Sequence, residues 1–157
     1  MKKKYADQLM EDIRHCTDIE KSVEKNTVSL TEEENKTLEL INKYREQNGL
    51  NELEPFLELQ EVSKLKAEDI VENNYFSHTS PNLGSTFDLI KSQGIKYKVA
   101  GENLAGNITP KRAVEAWINS KTHRENILED RFEYTGIYVI ESEVYGKIFV
   151  QMFIGIK

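Results

Sequence analysis

Cysteine is nearly absent from this 157-residue chain. Cys16 is the only one, so no disulfide can form within the chain, and a fold stapled by bridges is excluded. Cysteine count alone leaves the redox compartment open. Proline occurs three times and histidine three times, too few for a proline-rich linker or a histidine-rich metal tract. Long apolar runs are missing too, since none approaches the ~20 residues that span a bilayer. The opening MKKKYADQLMEDIRHC begins with the lysines of an export signal, but Asp7, Glu11, Asp12 and Arg14 interrupt the apolar stretch such a signal requires. Ile13, Arg14 and His15 precede Cys16, so it is read as a structural or free thiol and not as a lipid-attachment site.

Basic clustering is lacking as well. Net charge is −6, with balanced charge over residues 1–30, five positive against twelve negative over 31–76, and ten against nine over 77–157. Phosphate backbones are held by clustered Lys and Arg, so nucleic acid is excluded as a main partner, and anionic membrane surfaces are disfavoured. There is no glycine-rich phosphate loop, because GENLAGN lacks the Lys-Ser or Lys-Thr that follows one.

Seven Tyr, six Phe and one Trp supply the apolar surface for one folded domain. Leu9, Ile13, Cys16, Ile19 and Val23 fall three or four apart, the spacing of an appended helix in a 1–30 extension. The main domain opens near Leu30. Thr31-Glu32-Glu33-Glu34 is a capping-box pattern, predicting a helix over 31–48 that Gly49 ends. Pro55 is expected to open a second helix, with Leu59, Val62, Leu65, Lys66 and Ile70 on one face and Asn73-Asn74 at its end. A third is predicted over 85–93 with Phe87, Leu89 and Ile90 inward, stopped by Gly94. Thr109-Pro110 starts a fourth, with Ala113, Val114, Ala116 and Trp117 on its apolar side up to Asn119.

From Gly136 the periodicity changes to that of strands. GIYVI, a turn over Ser142–Gly146 and KIFVQMFIGI follow, the last with apolar residues on both faces from Ile148 to Ile156. A strand apolar on both faces lies inside a sheet covered by helices on each side. The fold class is therefore α+β, a three-layer α-β-α sandwich.

Chemistry concentrates at His78 in NYFSHTSP, His123 in NSKTHRENIL and Glu102 in AGENLAG, whose flanking Gly101 and Gly106 let the backbone approach a cleft. The two histidines stand in loop-like stretches. Two imidazoles and a carboxylate suit zinc with an open position. The spacings match no local zinc signature, so a loop-built hydrogen-bond network of three polar residues stands beside the metal reading. Ser77 and Ser80 flank His78, yet no G-x-S-x-G elbow supports a serine hydrolase.

INKYREQNGLNEL, YFSH, AGENLAGN, AVEAWINSKTHRENIL, TGIYVI and FVQMF, in this order, resemble the CAP superfamily, that of the cysteine-rich secretory, antigen 5 and pathogenesis-related-1 proteins, in its bacterial SCP-like form. The likeness covers 31–157. It implies an α-β-α sandwich with a central, mainly antiparallel sheet. It also implies a cleft of two histidines and two glutamates, the histidines binding zinc in some members. His78, Glu102 and His123 fall on three of the four. The fourth position, three residues after Trp117, is Ser120, and Glu115 stands on another side of that helix. Asn103, Trp117, Arg124 and Asn126 are read as residues that hold the loops and fill the core. Relatives are exported, so the resemblance implies an extracellular or cell-surface monomer whose export signal has been trimmed. The preferred function is that of a non-enzymatic domain whose cleft accommodates a divalent metal and a partner ligand, a lipid, peptide or macromolecule, with zinc an option and no cofactor required. The alternatives are a zinc-dependent hydrolase using His78, His123 and Glu102, and a sterol or fatty-acid binding protein.

Overall fold

The computed structural model describes residues 28–157, so the Leu9–Val23 stripe and Cys16 lie outside the described residues. Helix α1 (Glu32–Gln47) starts as the sequence predicts. Thr31 Oγ1 accepts from the Glu34 backbone N–H while Glu34 Oε1 accepts from that of Thr31. Gly49, at φ +75°, follows its end.

Pro55 does not open the second helix. It lies in a two-residue strand, β1 (Glu54–Pro55), parallel to the start of β3 (Tyr134–Ser142), and α2 (Leu57–Asn73) begins after Phe56. The flanking Glu54 and Phe56 donate to Glu133 and Thr135. The missing proline N–H thus falls where the ladder needs none. Asn74 ends α2 in the left-handed conformation. Leu65 of its expected apolar face is exposed, whereas Lys66 is buried.

Helix α3 (Thr86–Ser92) is capped by Ser85, and Leu89 and Ile90 are inward, but Phe87 points to solvent. Strand β2 (Val99–Asn107) is an element that the sequence pattern does not announce. Its Gly, Ala and Asn have low strand propensity, and pairing with β4 (Gly146–Gly155) along its whole length overrides that. Helix α4 (Pro110–Asn119) has the Thr109 cap and Pro110 start that the sequence predicts, with Ala116 exposed. A short α5 (Lys121–Ile127) then carries His123, which the sequence places in a loop.

The sheet order is β1-β3-β4-β2, antiparallel except for β1. Helices cover both sides, as the doubly apolar β4 requires. Phe149 and Phe153 join Leu38, Ile41, Trp117 and Ile127 on one face. Ile148, Val150, Met152 and Ile154 join Leu59, Val62, Ile70 and Leu89 on the other. Ile156, beyond the strand, is exposed.

Side chains close both sheet margins. Beyond β1, the Gln60 amide pairs with the N–H and C=O of Ile137, and Glu34 Oε2 accepts from Val139 N–H at 3.0 Å. On β2, Asn126 Nδ2 donates to the Glu102 carbonyl at 3.1 Å and Trp117 Nε1 to the Leu104 carbonyl at 2.9 Å. Edge carbonyls that could recruit another strand are thereby satisfied within the domain.

Candidate functional site

Three segments bring the predicted residues to the β2 margin. His78 stands on the loop between α2 and α3, Glu102 on β2 and His123 on α5.

The His78 loop is held from beneath by two residues three apart on α2, a spacing that puts both on one face. Lys66 Nζ donates to the His78 carbonyl at 3.1 Å and lies 4.9 Å from the centre of the Tyr75 ring. Asp69 accepts from Tyr75 Oη, from Asn73 Nδ2 and from Ser80 Oγ. Ser80 Oγ in turn accepts from the N–H groups of Asn82 and Leu83, and Ser80 and Gly84 exchange backbone hydrogen bonds. Ser80 is thus a loop staple facing Asp69. Ser77 Oγ accepts from Thr79 N–H. Neither hydroxyl is bonded to His78.

His78 Nδ1 lies 2.8 Å from Glu102 Oε1. The imidazole is largely exposed and the carboxylate beneath it buried. Glu102 Oε2 is also buried and has no hydrogen-bond partner among the described residues. Burial lowers the pKa of Lys66 below the usual lysine value, and the nearby charges of Glu102 and Asp69 pull it partly back. Burial pushes the Asp69 carboxyl up, but hydrogen bonds from Ser80, Tyr75 and Asn73, with the Lys66 charge, outweigh it and leave the group below its ordinary range.

His123 Nδ1 pairs with Ser120 Oγ at 2.7 Å. Ser120, at the position of the expected second glutamate, therefore orients the imidazole. Burial lowers the His123 pKa, and the charge of His78 pushes the same way, so the two rings sense each other. The neutral form, the one that ligates metals, is favoured. Asn103 Nδ2 donates to the His123 carbonyl at 3.0 Å, and Asn126 Nδ2 reaches both Asn103 Oδ1 and the Glu102 carbonyl. This pair sets α5 against β2 and hence His123 against Glu102. Arg124 Nη1 donates to the Ile118 carbonyl. The four motif residues read as structural are all engaged in this way. Glu115 points elsewhere, toward Lys111.

Both Nδ1 atoms are thus occupied, leaving the Nε2 atoms as the ligating positions. Among the described residues no three His, Cys, Asp or Glu side chains close into a metal cage. Imidazole Nε2 atoms are donors of the kind a divalent metal takes, with its further ligands then coming from outside the chain. A carboxylate behind a ligating histidine is a common arrangement that fixes the ring and its tautomer.

Sequence reasoning missed Asp69 and Arg45, and it placed Lys66 on the inward face of the helix without giving it a role. Lys66 was visible as a charge within an apolar stripe. Arg45 is buried and donates to the carbonyls of Asn51, Ile127, Glu129 and Phe132, pinning the end of α5 to α1. A concavity of about 720 Å³ lies between the end of α2 and the β3–β4 hairpin, and none of the three predicted residues lines it.

The family model for the cysteine-rich secretory protein family matches residues 38–153. The Bacillus subtilis protein YkwD is 44% identical over 128 residues, which is 81% of this chain and 49% of that protein. The chain thus spans about half the length of this curated relative. Among solved structures, an extracellular protein containing an SCP domain from Bacillus anthracis has a TM-score of 0.71 at 29% identity, covering 82% of this chain and 45% of that one. An outer surface protein of Borrelia burgdorferi has a TM-score of 0.75 at 27% identity, covering 83% and 97%.

Proposed function

The chain belongs to the cysteine-rich secretory protein family, and from that footing we propose that it is a non-enzymatic domain of the extracellular space or cell surface whose cleft binds a divalent metal and a partner ligand at His78 and His123. Residues 31–157 form the binding domain and residues 1–30 an extension or tether. The relatives described as extracellular and outer surface proteins support the location. In the described residues no helix is long and apolar enough to cross a membrane.

One observation carries the reading: Glu102 is committed. One oxygen rests on His78 and the other is buried from solvent. A general base must reach the proton it removes, at hydrogen-bond distance or through one water. Glu102 instead orients His78 through Oε1, and its Oε2 is closed off from the solvent it would have to activate. That placement favours binding over the zinc-dependent hydrolase. A bound zinc would supply a Lewis-acid point for an oxygen or nitrogen of the partner, a lipid, peptide or macromolecule. His78 and His123 would hold it, with Glu102 and Ser120 fixing their rings.

Calorimetric titration with zinc tests this, comparing the wild type with the His78→Ala, His123→Ala double variant at neutral pH. Saturable binding of one metal, lost in the variant, is expected. No binding by the wild type overturns the metal reading and assigns the histidines to loop structure.

Sterol or fatty-acid carriage is the second reading, favoured by the 720 Å³ concavity, whose wall includes Ile70, Val71, Tyr75, Val144, Tyr145 and Ile148. Lipid extraction from the purified protein tests it, and absence of bound lipid removes it.

A further inference from the structure

The tip of the β3–β4 hairpin reaches the segment that carries His78. Tyr145, in the turn before β4, lays its ring on Gly106 of β2, where an added Cβ would stand 2.6 Å from Tyr145 Cδ1 and 3.0 Å from its Cβ. Those are the near atoms of the side chain, so a Cβ at position 106 cannot be accommodated by swinging the far end of the ring aside. The same ring meets Phe76, with centroids 5.1 Å apart and planes tilted by 40°. Val144, next in the turn, is 71% exposed, whereas Tyr145 and Phe76 are 42% and 41% exposed. The two aromatics are thus packed, although they stand on a turn and a loop.

Phe76 precedes His78 by two residues. Tyr75 N–H is bonded to the Ile70 carbonyl and Ser80 to Gly84, but between them residues 76–79 make no backbone–backbone hydrogen bond among the described residues. Side chains hold this span instead. Lys66 Nζ donates to the His78 carbonyl, Ser77 Oγ accepts from Thr79 N–H, and the His78 ring lies on Glu102. All three contacts act at or after Ser77, which leaves the Phe76–Tyr145 pair as the anchor at the start of the span. We propose that Tyr145 and Phe76 form a clasp that positions His78 over Glu102, so that the hairpin tip is part of the metal site. The proposal rests on the metal reading of the cleft and adds two positioning residues to it. Both act through the His78 segment and not as ligands, and Gly106 is the seat that lets the clasp close.

A double-mutant cycle on the full chain tests it, with zinc affinity read by calorimetry and the His78 ring ¹⁵N resonances read by NMR in the metal-free protein. An aromatic pair of this geometry is worth about three- to tenfold in an equilibrium constant. Tyr145→Ala and Phe76→Ala are each expected to weaken zinc binding by about that factor, and the double variant by no more than either alone. Tyr145→Phe keeps the stacked ring and is expected to bind as the wild type does. Gly106→Ala, which leaves both rings in the chain and displaces one, is expected to match Tyr145→Ala. In the metal-free protein the wild-type ring is expected to show the single tautomer with the proton on Nδ1, and the Tyr145→Ala, Phe76→Ala and Gly106→Ala variants a mixture of the two. Unchanged zinc affinity with unchanged ring resonances in the alanine variants, or losses that simply add in the double variant, overturn the proposal. If the wild type binds no zinc, the metal reading fails by itself, and the ring resonances still decide whether the clasp positions His78.

Discussion

Glu102 Oε1 lies 2.8 Å from His78 Nδ1, joining a buried carboxylate to an exposed imidazole. The donor and acceptor follow from the chemistry: a carboxylate accepts, so Nδ1 carries a proton and Nε2 is the nitrogen left to face a metal. Glu102→Gln retains the shape but loses the charge, and its amide can also present an N–H to the ring. Zinc affinity in calorimetry is expected to fall about 10–100-fold, with the unfolding midpoint little changed. An affinity equal to wild type would show that Glu102 does not tune His78.

Asp69 should matter most above its own titration range. Its carboxyl sits below the ordinary value because three side-chain hydrogen bonds and the Lys66 charge outweigh the opposing effect of burial. A carboxyl with a folded pKa below its unfolded one stabilises fully above the unfolded value, here 3.8, and loses that contribution as pH falls through the folded one. Asp69→Asn is therefore expected to cost about 2 kcal/mol at neutral pH, the difference from wild type shrinking as pH drops below about 4. Urea unfolding of both proteins across that range measures it. A constant gap down to the lowest pH would separate Asp69 from the loop charge network.

Legibility in the sequence followed local chemistry. The Thr31 box, the Thr109-Pro110 start and Gly94 after α3 act within a few residues, so each could be read directly. The doubly apolar β4 disclosed the layers, and motif likeness disclosed His78, Glu102 and His123 as a set. What stayed hidden depends on partners far along the chain. VAGENLAGN is a strand because β4 pairs with it, Pro55 is a strand residue because β3 passes beside it, and Lys66, which the apolar spacing does place inward, has its partner in the distant His78 carbonyl. Arg45 shows the same limit, since three of its four acceptors lie more than 80 residues away.

Gly136 lies where α2 packs backbone to backbone on the sheet. A Cβ there would stand 2.3 Å from the Leu59 carbonyl oxygen, and both atoms belong to fixed backbone. Ser63 Oγ also bonds the Gly136 carbonyl at 3.0 Å, so the helix cannot shift outward without breaking that contact. Gly136→Ala is expected to destabilise by about 3 kcal/mol or more, as overpacking of a close backbone contact does. Thermal unfolding reads this directly, and a change below about 0.5 kcal/mol would refute the close packing.

Trp117 and Asn126 close neighbouring carbonyls on the same margin of β2, yet their substitutions should be separable. Trp117 Nε1 serves Leu104 alone and its ring fills the core, so Trp117→Phe leaves one buried carbonyl unpaired and some ring volume empty. A loss of about 2–4 kcal/mol is expected, with zinc affinity per folded molecule unchanged. Asn126 serves the Glu102 carbonyl and the Asn103 side chain, and Asn103 holds the His123 carbonyl. Asn126→Ala removes the link that fixes the two sides of the cleft, so it is expected to lower zinc affinity by more than its smaller stability cost of about 1–3 kcal/mol would suggest. Calorimetry and urea unfolding on both variants test the separation. If both reduce affinity in proportion to stability, the Asn103–Asn126 pair is only a sheet-edge cap and does not set the spacing of His123 from Glu102.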